Sequence, residues 1–252
     1  MESLSGRKVI VTGGASGMGE GIVRAFAQNG AAVASLDVNA SLGVQIAAEV
    51  GASFHRCDVS SEEQVAEAFR SAVAELGGLD VLVHAAGVAP AVPAEKTETA
   101  LWQSVMGINA TGTFLTNKAA FEYLKVNGGR IINFASGAGM NGYPGKSAYA
   151  SAKGAVLAWT RSIAVEWAPH GITANAMAPM IWTSMYDKTR SEMSPEQLSV
   201  HDAKMRAMIP VGGKLGDIYA DLVPVVAFLA SEGSRFMTGQ TFSVDGGKNM
   251  VR

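Results

Sequence analysis

Tyr149 and Lys153 stand four residues apart in a stretch of helical period, so both side chains project from one face of the predicted helix. A phenol of pKa ~10 is a poor acid or base at neutral pH, and bringing it to ~7 takes about 4 kcal/mol of preference for the phenolate. One ammonium ~4 Å away, at an effective dielectric of ~20, supplies about that much. The pair is a candidate general acid/base and its electrostatic partner. Ser136 follows an apolar run beginning at Arg130, where a strand ends and a hydroxyl can face a ligand. A Tyr-x-x-x-Lys pair also occurs on solvated helix faces, so its meaning depends on what surrounds it.

A second constellation lies near the start of the chain. The run Lys8–Thr12 leads into Thr12-Gly13-Gly14-Ala15-Ser16-Gly17-Met18-Gly19, where a helical pattern begins. Glycines at 13, 17 and 19 permit a tight turn and let backbone N–H groups approach a pyrophosphate, while the helix N-terminus adds a positive dipole end. The spacing Gly-x-x-x-Gly-x-Gly departs from the common Gly-x-Gly-x-x-Gly, and the alternative is a structural turn. Asp37, 24 residues after Gly13, ends the next apolar run, where an acid that binds an adenosine ribose is expected. Its carboxylate would repel a 2′-phosphate, and Ala15, Ser16 and Val38 offer no cation to attract one. NAD is therefore expected rather than NADP, and a bound cationic nicotinamide would favour the phenolate of Tyr149.

These residues need a scaffold that brings them to one edge. Seven short runs, Lys8–Thr12, Ala32–Leu36, Ser53–Cys57, Val81–His84, Arg130–Phe134, Thr173–Met177 and Thr241–Val244, read as strands. Most are continuously apolar, as strands covered on both faces must be. Helical stretches near 17–29, 41–49, 61–75, 97–125, 146–168 and 216–230 alternate with them. Repeated β-α-β units predict an α/β fold, a doubly wound, Rossmann-like parallel sheet of about seven strands with helices on both faces. No linker or composition shift divides the chain, so 1–252 is read as one domain. Residues 178–215 hold no strand and are expected to form a partly helical lid over the substrate.

Composition narrows the function. Of 252 residues, 48% are hydrophobic and 17% charged, which excludes a disordered chain. Twenty Lys and Arg against 22 Asp and Glu give a net charge of −2 without a basic cluster, so nucleic acid is not an expected partner. Residues 1–5 lack the pattern of a secretory signal and no run is long enough to span a membrane, which points to a cytoplasmic location. Cys57 is alone and reads as a buried hydrophobe. The histidines at 55, 84, 170 and 201 share no ligand spacing, and no catalytic metal is expected.

Taken together, the Thr-Gly-x-x-x-Gly-x-Gly loop at 12–19, Asp58-Val59, Asn109, Ser136, Tyr149-x-x-x-Lys153 and Val244-Asp245-Gly246-Gly247 resemble the classical short-chain dehydrogenase/reductase family over nearly the whole chain. The resemblance implies that Tyr149 exchanges a proton with the substrate oxygen, that Ser136 polarises it, and that Lys153 binds the nicotinamide ribose and lowers the tyrosine pKa. It implies too that Asn109 holds a water linking Lys153 to solvent. Asp58 and Val59 match positions that contact adenine, and Ile181 and Thr183 those that dock the carboxamide. Backbone contacts to the cofactor are expected at Ala85, Ala86, Gly87 and Pro179. Two departures stand out: His84-Ala85-Ala86-Gly87 replaces the usual Asn-Asn-Ala-Gly, and Ala178-Pro179-Met180 replaces a Pro-Gly pair. The first removes an Asn side chain that would bond the sheet; His84 itself reads as structural rather than as a second base. The Tyr-to-Lys spacing disfavours the enoyl reductase branch, and the resemblance suggests a homotetramer paired through helices 97–125 and 146–168.

Six of the 12 methionines, 177, 180, 185, 193, 205 and 208, fall in or beside the lid with Trp182 and Tyr186, a pattern suited to a pliable apolar cover or to ordinary helix packing. Met140, Tyr143, Met180, Met185 and Tyr186 are the candidate substrate pocket. The expected activity is NAD-dependent interconversion of a secondary alcohol and a ketone on a small apolar, cyclic or steroid-like substrate. A 3-oxoacyl-thioester (acyl carrier protein) reductase is the enzymatic alternative, disfavoured by Asp37. A nucleotide-responsive binding protein is the non-enzymatic one, disfavoured by the complete Ser/Tyr/Lys set.

Overall fold

The computed structural model describes residues 4–249; the first three residues of the N-terminal stretch read above lie outside them. Seven strands, β1 (Lys8–Thr12), β2 (Ala32–Asp37), β3 (Ser53–Arg56), β4 (Val81–His84), β5 (Gly129–Phe134), β6 (Ile172–Pro179) and β7 (Thr241–Val244), form one parallel sheet in the order β3-β2-β1-β4-β5-β6-β7. Side chains alternate between its faces. Val9 and Val11 meet a core shared with α1 (Gly17–Gln28) and α9 (Val223–Ala230), whereas Ile10 meets the core of α3 (Glu62–Leu76), α5 (Gly112–Leu124) and α6 (Ser147–Glu166). The chain winds outward from β1 to β3 and then returns to place β4 on the other side of β1. That reversal opens a crevice at the carboxyl ends of β1 and β4.

Local chemistry sets the helix ends. Asn39 caps α2 (Ala40–Val50) by accepting from Leu42 N, and Ser61 caps α3 by accepting from Gln64 N. Gly77 closes α3 in the left-handed conformation, at φ 69°.

The stretch read as one helix over 97–125 is instead α4 (Thr99–Met106) and α5 joined by a wide π turn, Gly107–Thr111. Asn109 sits in that turn and ties it to the neighbouring loop: its Nδ2 donates to Val88 O at 3.0 Å and Val105 O at 3.1 Å. A second π turn, Ile218–Leu222, capped by Asp217, precedes α9. Strand β6 runs two residues beyond its expected end because Ala178 and Pro179 continue to pair with β7. Residues 178–215 carry α7 (Ser184–Ser191) and α8 (Pro195–Met208).

Thr12, His84 and Asn133 lie abreast across β1, β4 and β5 in a buried polar row. His84 Nδ1 bonds the hydroxyls of Thr12 at 2.9 Å and Thr116 at 3.0 Å, so the histidine ties the sheet to α5. Asn133 and Asn117 exchange amide hydrogen bonds beside it. Burial holds the His84 imidazole neutral, with its pKa pushed down to about 3 from 6.5, assisted by the nearby Lys153. The unfolded chain takes up that proton near pH 6.5 and the folded chain only near 3, so between those values the unfolded state binds more protons and stability falls as pH falls. Denaturant titrations should therefore show wild-type protein losing about 2 kcal/mol between pH 7 and pH 5 that a His84→Asn variant keeps. Equal pH slopes for the two proteins would contradict this account.

Candidate active site

A cleft of about 540 Å³ opens along the carboxyl edge of the sheet. Its floor is the glycine loop. Gly13 adopts φ 70°, and a Cβ there would come within 2.8 Å of the Ala86 backbone, so the loops after β1 and β4 touch only because the side chain is absent. Gly19 is as constrained: a Cβ would meet Gly13 O at 2.1 Å. Helix α1 starts at Gly17 with no side chain capping its first turn, which leaves N–H groups facing the cleft for an anion. Asp37, at the end of β2, anchors the rim: Oδ2 accepts from Ala15 N at 3.1 Å and Oδ1 from Asn39 N at 2.9 Å.

Gly13, Ser16, Gly17, Met18, Gly19, Asp37, Val38, Asp58, Val59, Ala85, Ala86, Gly87, Asn109, Tyr149, Lys153, Thr183 and Met185 all border this one cleft. Leu36, Cys57, Val88, Ile108 and Ser184, each beside a residue singled out in the sequence, border it too, as do Ala89, Phe134 and Ala135. Burial, with Asp58 and Asp37 nearby, pushes the Cys57 thiol up to about 12, so it is a packing group and not a nucleophile.

At the far end, Lys153 is buried and its Nζ donates to Phe134 O at 2.6 Å. Burial lowers its pKa to about 8. The ammonium lies 5.8 Å from the Tyr149 ring centroid. Tyr149 differs from the expectation of a lowered pKa. Burial holds its phenol above the ordinary value of 10, and only a hydrogen bond with Ser136 pulls the other way. Lys153 is turned toward a backbone carbonyl and is itself weakened as a cation by burial.

Ser136 is reached from the turn below. Its Oγ accepts from Ala138 N at 3.1 Å, and the turn packs so closely on α6 that a Cβ at Gly139 would meet the Lys153 carbonyl carbon at 2.6 Å. The side chain of Asn109 is committed to Val88 and Val105, and the backbone carbonyl of Asn109 accepts from Thr113 Oγ1 at 2.6 Å.

Other selected residues lie off the cleft. Ile181 turns its side chain into the core while its backbone bridges to Gly216, and Pro179 pairs with Val244. Met180 is tied by its backbone to Val244 and Gly216, and Met140 packs against Ala135, Val156, Leu157 and Ala176. Tyr143 is exposed beneath Lys248, whose Nζ lies 4.6 Å from the ring centroid. Tyr186 faces a second hollow of about 210 Å³ with Trp182, Arg190 and Met205, its hydroxyl 2.6 Å from His201 Nε2. Met185 and Tyr186 are consecutive on α7 and so point about 100° apart, one toward each hollow. Met177 is wholly buried, so the methionines do not form one continuous cover.

Comparison with known proteins places this geometry. A family model described as enoyl-(acyl carrier protein) reductase matches residues 13–249. The chain belongs to the short-chain dehydrogenase/reductase family. Among the relatives of this short-chain dehydrogenase/reductase is a 2-dehydro-3-deoxy-L-rhamnonate dehydrogenase (NAD(+)) of Sphingomonas sp. (strain SKA58), 36% identical over 97% of this chain and 96% of the relative. A D-threitol dehydrogenase of Mycolicibacterium smegmatis is 34% identical over 97% of this chain and 93% of its own. Among solved structures, a dehydrogenase/reductase from Sinorhizobium meliloti 1021 superposes with TM-score 0.87 at 32% identity, covering 98% of this chain and 97% of that one. A short-chain type dehydrogenase/reductase from Mycobacterium ulcerans gives TM-score 0.90 at 26% identity, over 98% and 91%. This short-chain dehydrogenase/reductase is thus an oxidoreductase of the alcohol/carbonyl type on a Rossmann-like fold. No helix among the described residues is long and apolar enough to cross a membrane.

Proposed function

We propose that the chain is an NAD(H)-dependent dehydrogenase interconverting a secondary alcohol and a ketone, with Tyr149 as acid/base, Ser136 holding the substrate oxygen, and Lys153 meeting the nicotinamide ribose. One observation carries this reading: Tyr149 and Lys153 share a single cleft with an uncapped helix N-terminus, a glycine cradle and Asp37. The cradle has the features an NAD pyrophosphate needs, and Asp37 offers carboxylate oxygens where an adenosine ribose would lie; Asp58 and Val59 would border the adenine. When bound, NAD accepts or gives the hydride at the substrate carbon. Tyr149 then takes or returns the hydroxyl proton, Ser136 donates a hydrogen bond to the same oxygen, and the Lys153 ammonium supports the phenolate. Asn109 serves here to brace the loop at Val88.

The same reading takes 1–252 as one catalytic domain with 178–215 as its lid. Exposed Phe114 and Val165, on α5 and α6, support pairing of those helices in a homotetramer. A cytoplasmic small-molecule enzyme without a metal fits the composition. The acyl carrier protein reductase alternative calls for NADPH, against which Asp37 stands.

Mixing the protein with NAD and a panel of secondary alcohols, polyols and sugar acids should raise absorbance near 340 nm for at least one class. Tight NAD binding with silence across the panel would instead favour a nucleotide-responsive binding protein.

A further inference from the structure

We propose that Asn249 is a positioning residue for Ser136, and that the segment 244–249 fixes the turn carrying that serine relative to both ends of the lid. The effect on chemistry rests on the dehydrogenase reading above, whereas the effect on the turn does not.

After β7 the chain is bent back by two consecutive left-handed residues, Gly246 at φ 64° and Gly247 at φ 85°. Asp245, buried, closes the bend through its carboxylate. Oδ1 accepts from Gly247 N at 3.0 Å, and Oδ2 accepts from Asn249 twice, from its backbone N at 2.9 Å and from Nδ2 at 2.7 Å. A carboxylate only accepts, so the amide nitrogen of Asn249 has to face Asp245, which directs its Oδ1 outward. There Oδ1 accepts from Asn141 Nδ2 at 2.8 Å.

Asn141 closes the turn that begins at Ser136. Gly139 N donates to Ser136 O at 2.9 Å, and Met140 N and Asn141 N donate to Gly137 O at 3.2 and 3.0 Å. Asn249 also packs on the start of this turn, since a Cβ on Gly137 would lie 2.6 Å from Asn249 Nδ2. The turn is therefore held from two sides, by α6 at Gly139 and by Asn249 at Gly137 and Asn141. Its position matters because the Ser136 hydroxyl has to meet the substrate oxygen beside Tyr149, with which it shares a hydrogen bond. A displacement of ~1 Å at such a group can cost ~10²-fold in rate.

The same segment grips the lid. Val244 O accepts from Met180 N at 2.8 Å, and Gly246 O accepts from Val211 N at 2.9 Å. Pro210 packs on Gly247, its Cγ 3.5 Å from where a Cβ would stand. The lid that would cover a substrate and the serine that would polarise it thus take their positions from one short piece of chain.

If Asn249 merely tied down its own segment, its loss would be felt equally with and without the Ser136 hydroxyl. The test measures kcat and KM with NAD and either cyclohexanol or butane-2,3-diol in Asn249→Ala and Asn141→Ala, each alone and combined with Ser136→Ala. Asn141 is exposed, so its variant cuts the tie while leaving the bonds of Asp245 in place. Either variant should lower kcat by roughly tenfold or more while KM for NAD changes less than about twofold, and should cost less than about twofold further once Ser136 is alanine. Hydrogen exchange read by mass spectrometry follows the turn itself. The amides of 139–141 should exchange roughly tenfold faster or more in both variants, and those of 13–19 at the wild-type rate. An equal kinetic loss in both backgrounds, or unchanged exchange at 139–141, overturns the proposal and leaves the dehydrogenase reading intact. Silence of the wild-type protein on both alcohols counts against the dehydrogenase reading for these probes; exchange alone then decides the proposal.

Discussion

Replacing Tyr149 by phenylalanine is expected to lower kcat by roughly 10²- to 10⁴-fold, the usual contribution of a positioned acid/base, while NAD affinity stays nearly unchanged. The ring remains to pack against Val105 and Ala152, so the loss reports the hydroxyl and not the fold. The pH profile makes the test sharper. In the protein alone the phenol lies above 10 and Lys153 near 8, so at neutral pH the tyrosine is protonated and the lysine still mostly charged. Alcohol oxidation should accelerate as pH rises, because the phenolate is the base. The residual rate of Tyr149→Phe should lack that rise. A variant with near wild-type kcat, or one that keeps the pH dependence, would remove Tyr149 from the chemistry.

The second large effect concerns the choice between dinucleotides. Asp37→Ala should shift the NAD-to-NADP ratio of kcat/KM toward NADP by on the order of 10²-fold. Hydrogen bonds to a charged acceptor are worth about 1.5–3 kcal/mol each, and the repulsion felt by a 2′-phosphate disappears with the charge. Because Asp37 also binds Ala15 N and Asn39 N, the alanine variant loosens the glycine loop. Asp37→Asn separates these effects, since it keeps an acceptor oxygen and loses only the charge. Its ratio should move in the same direction with a smaller loss of NAD affinity. Steady-state kinetics with both dinucleotides decides the matter, and an unchanged ratio would move selectivity away from Asp37.

The sheet was legible because its strands are short, β-branched and apolar on both faces, a pattern that tolerates few alternatives in a chain punctuated by glycine. The glycine loop and Asp37 could be read because both are backbone-determined features tied to strand ends. The break in 97–125 left no such trace. Its side chains keep a helical period on both sides, and only the fit of Asn109 between Val88 and Val105 requires the wide turn. Proximity in sequence groups Tyr186 with the substrate residues, whereas α7 turns it toward Trp182 and His201. Within the lid, Arg190 is held by Asp202 and covers the Trp182 ring, a pairing in space that spacing along the chain does not reveal.

The tie between Asn141 Nδ2 and Asn249 Oδ1, 2.8 Å long, joins the turn that follows Ser136 to the segment after β7. Asp245 holds that segment in place through the backbone and side chain of Asn249. The turn that carries the Ser136 hydroxyl thus leans on a residue 108 positions away in the chain, so an Asn249→Ala change, outside every strand and helix, would loosen that turn while leaving the dinucleotide cradle on β1, β2 and β4 untouched.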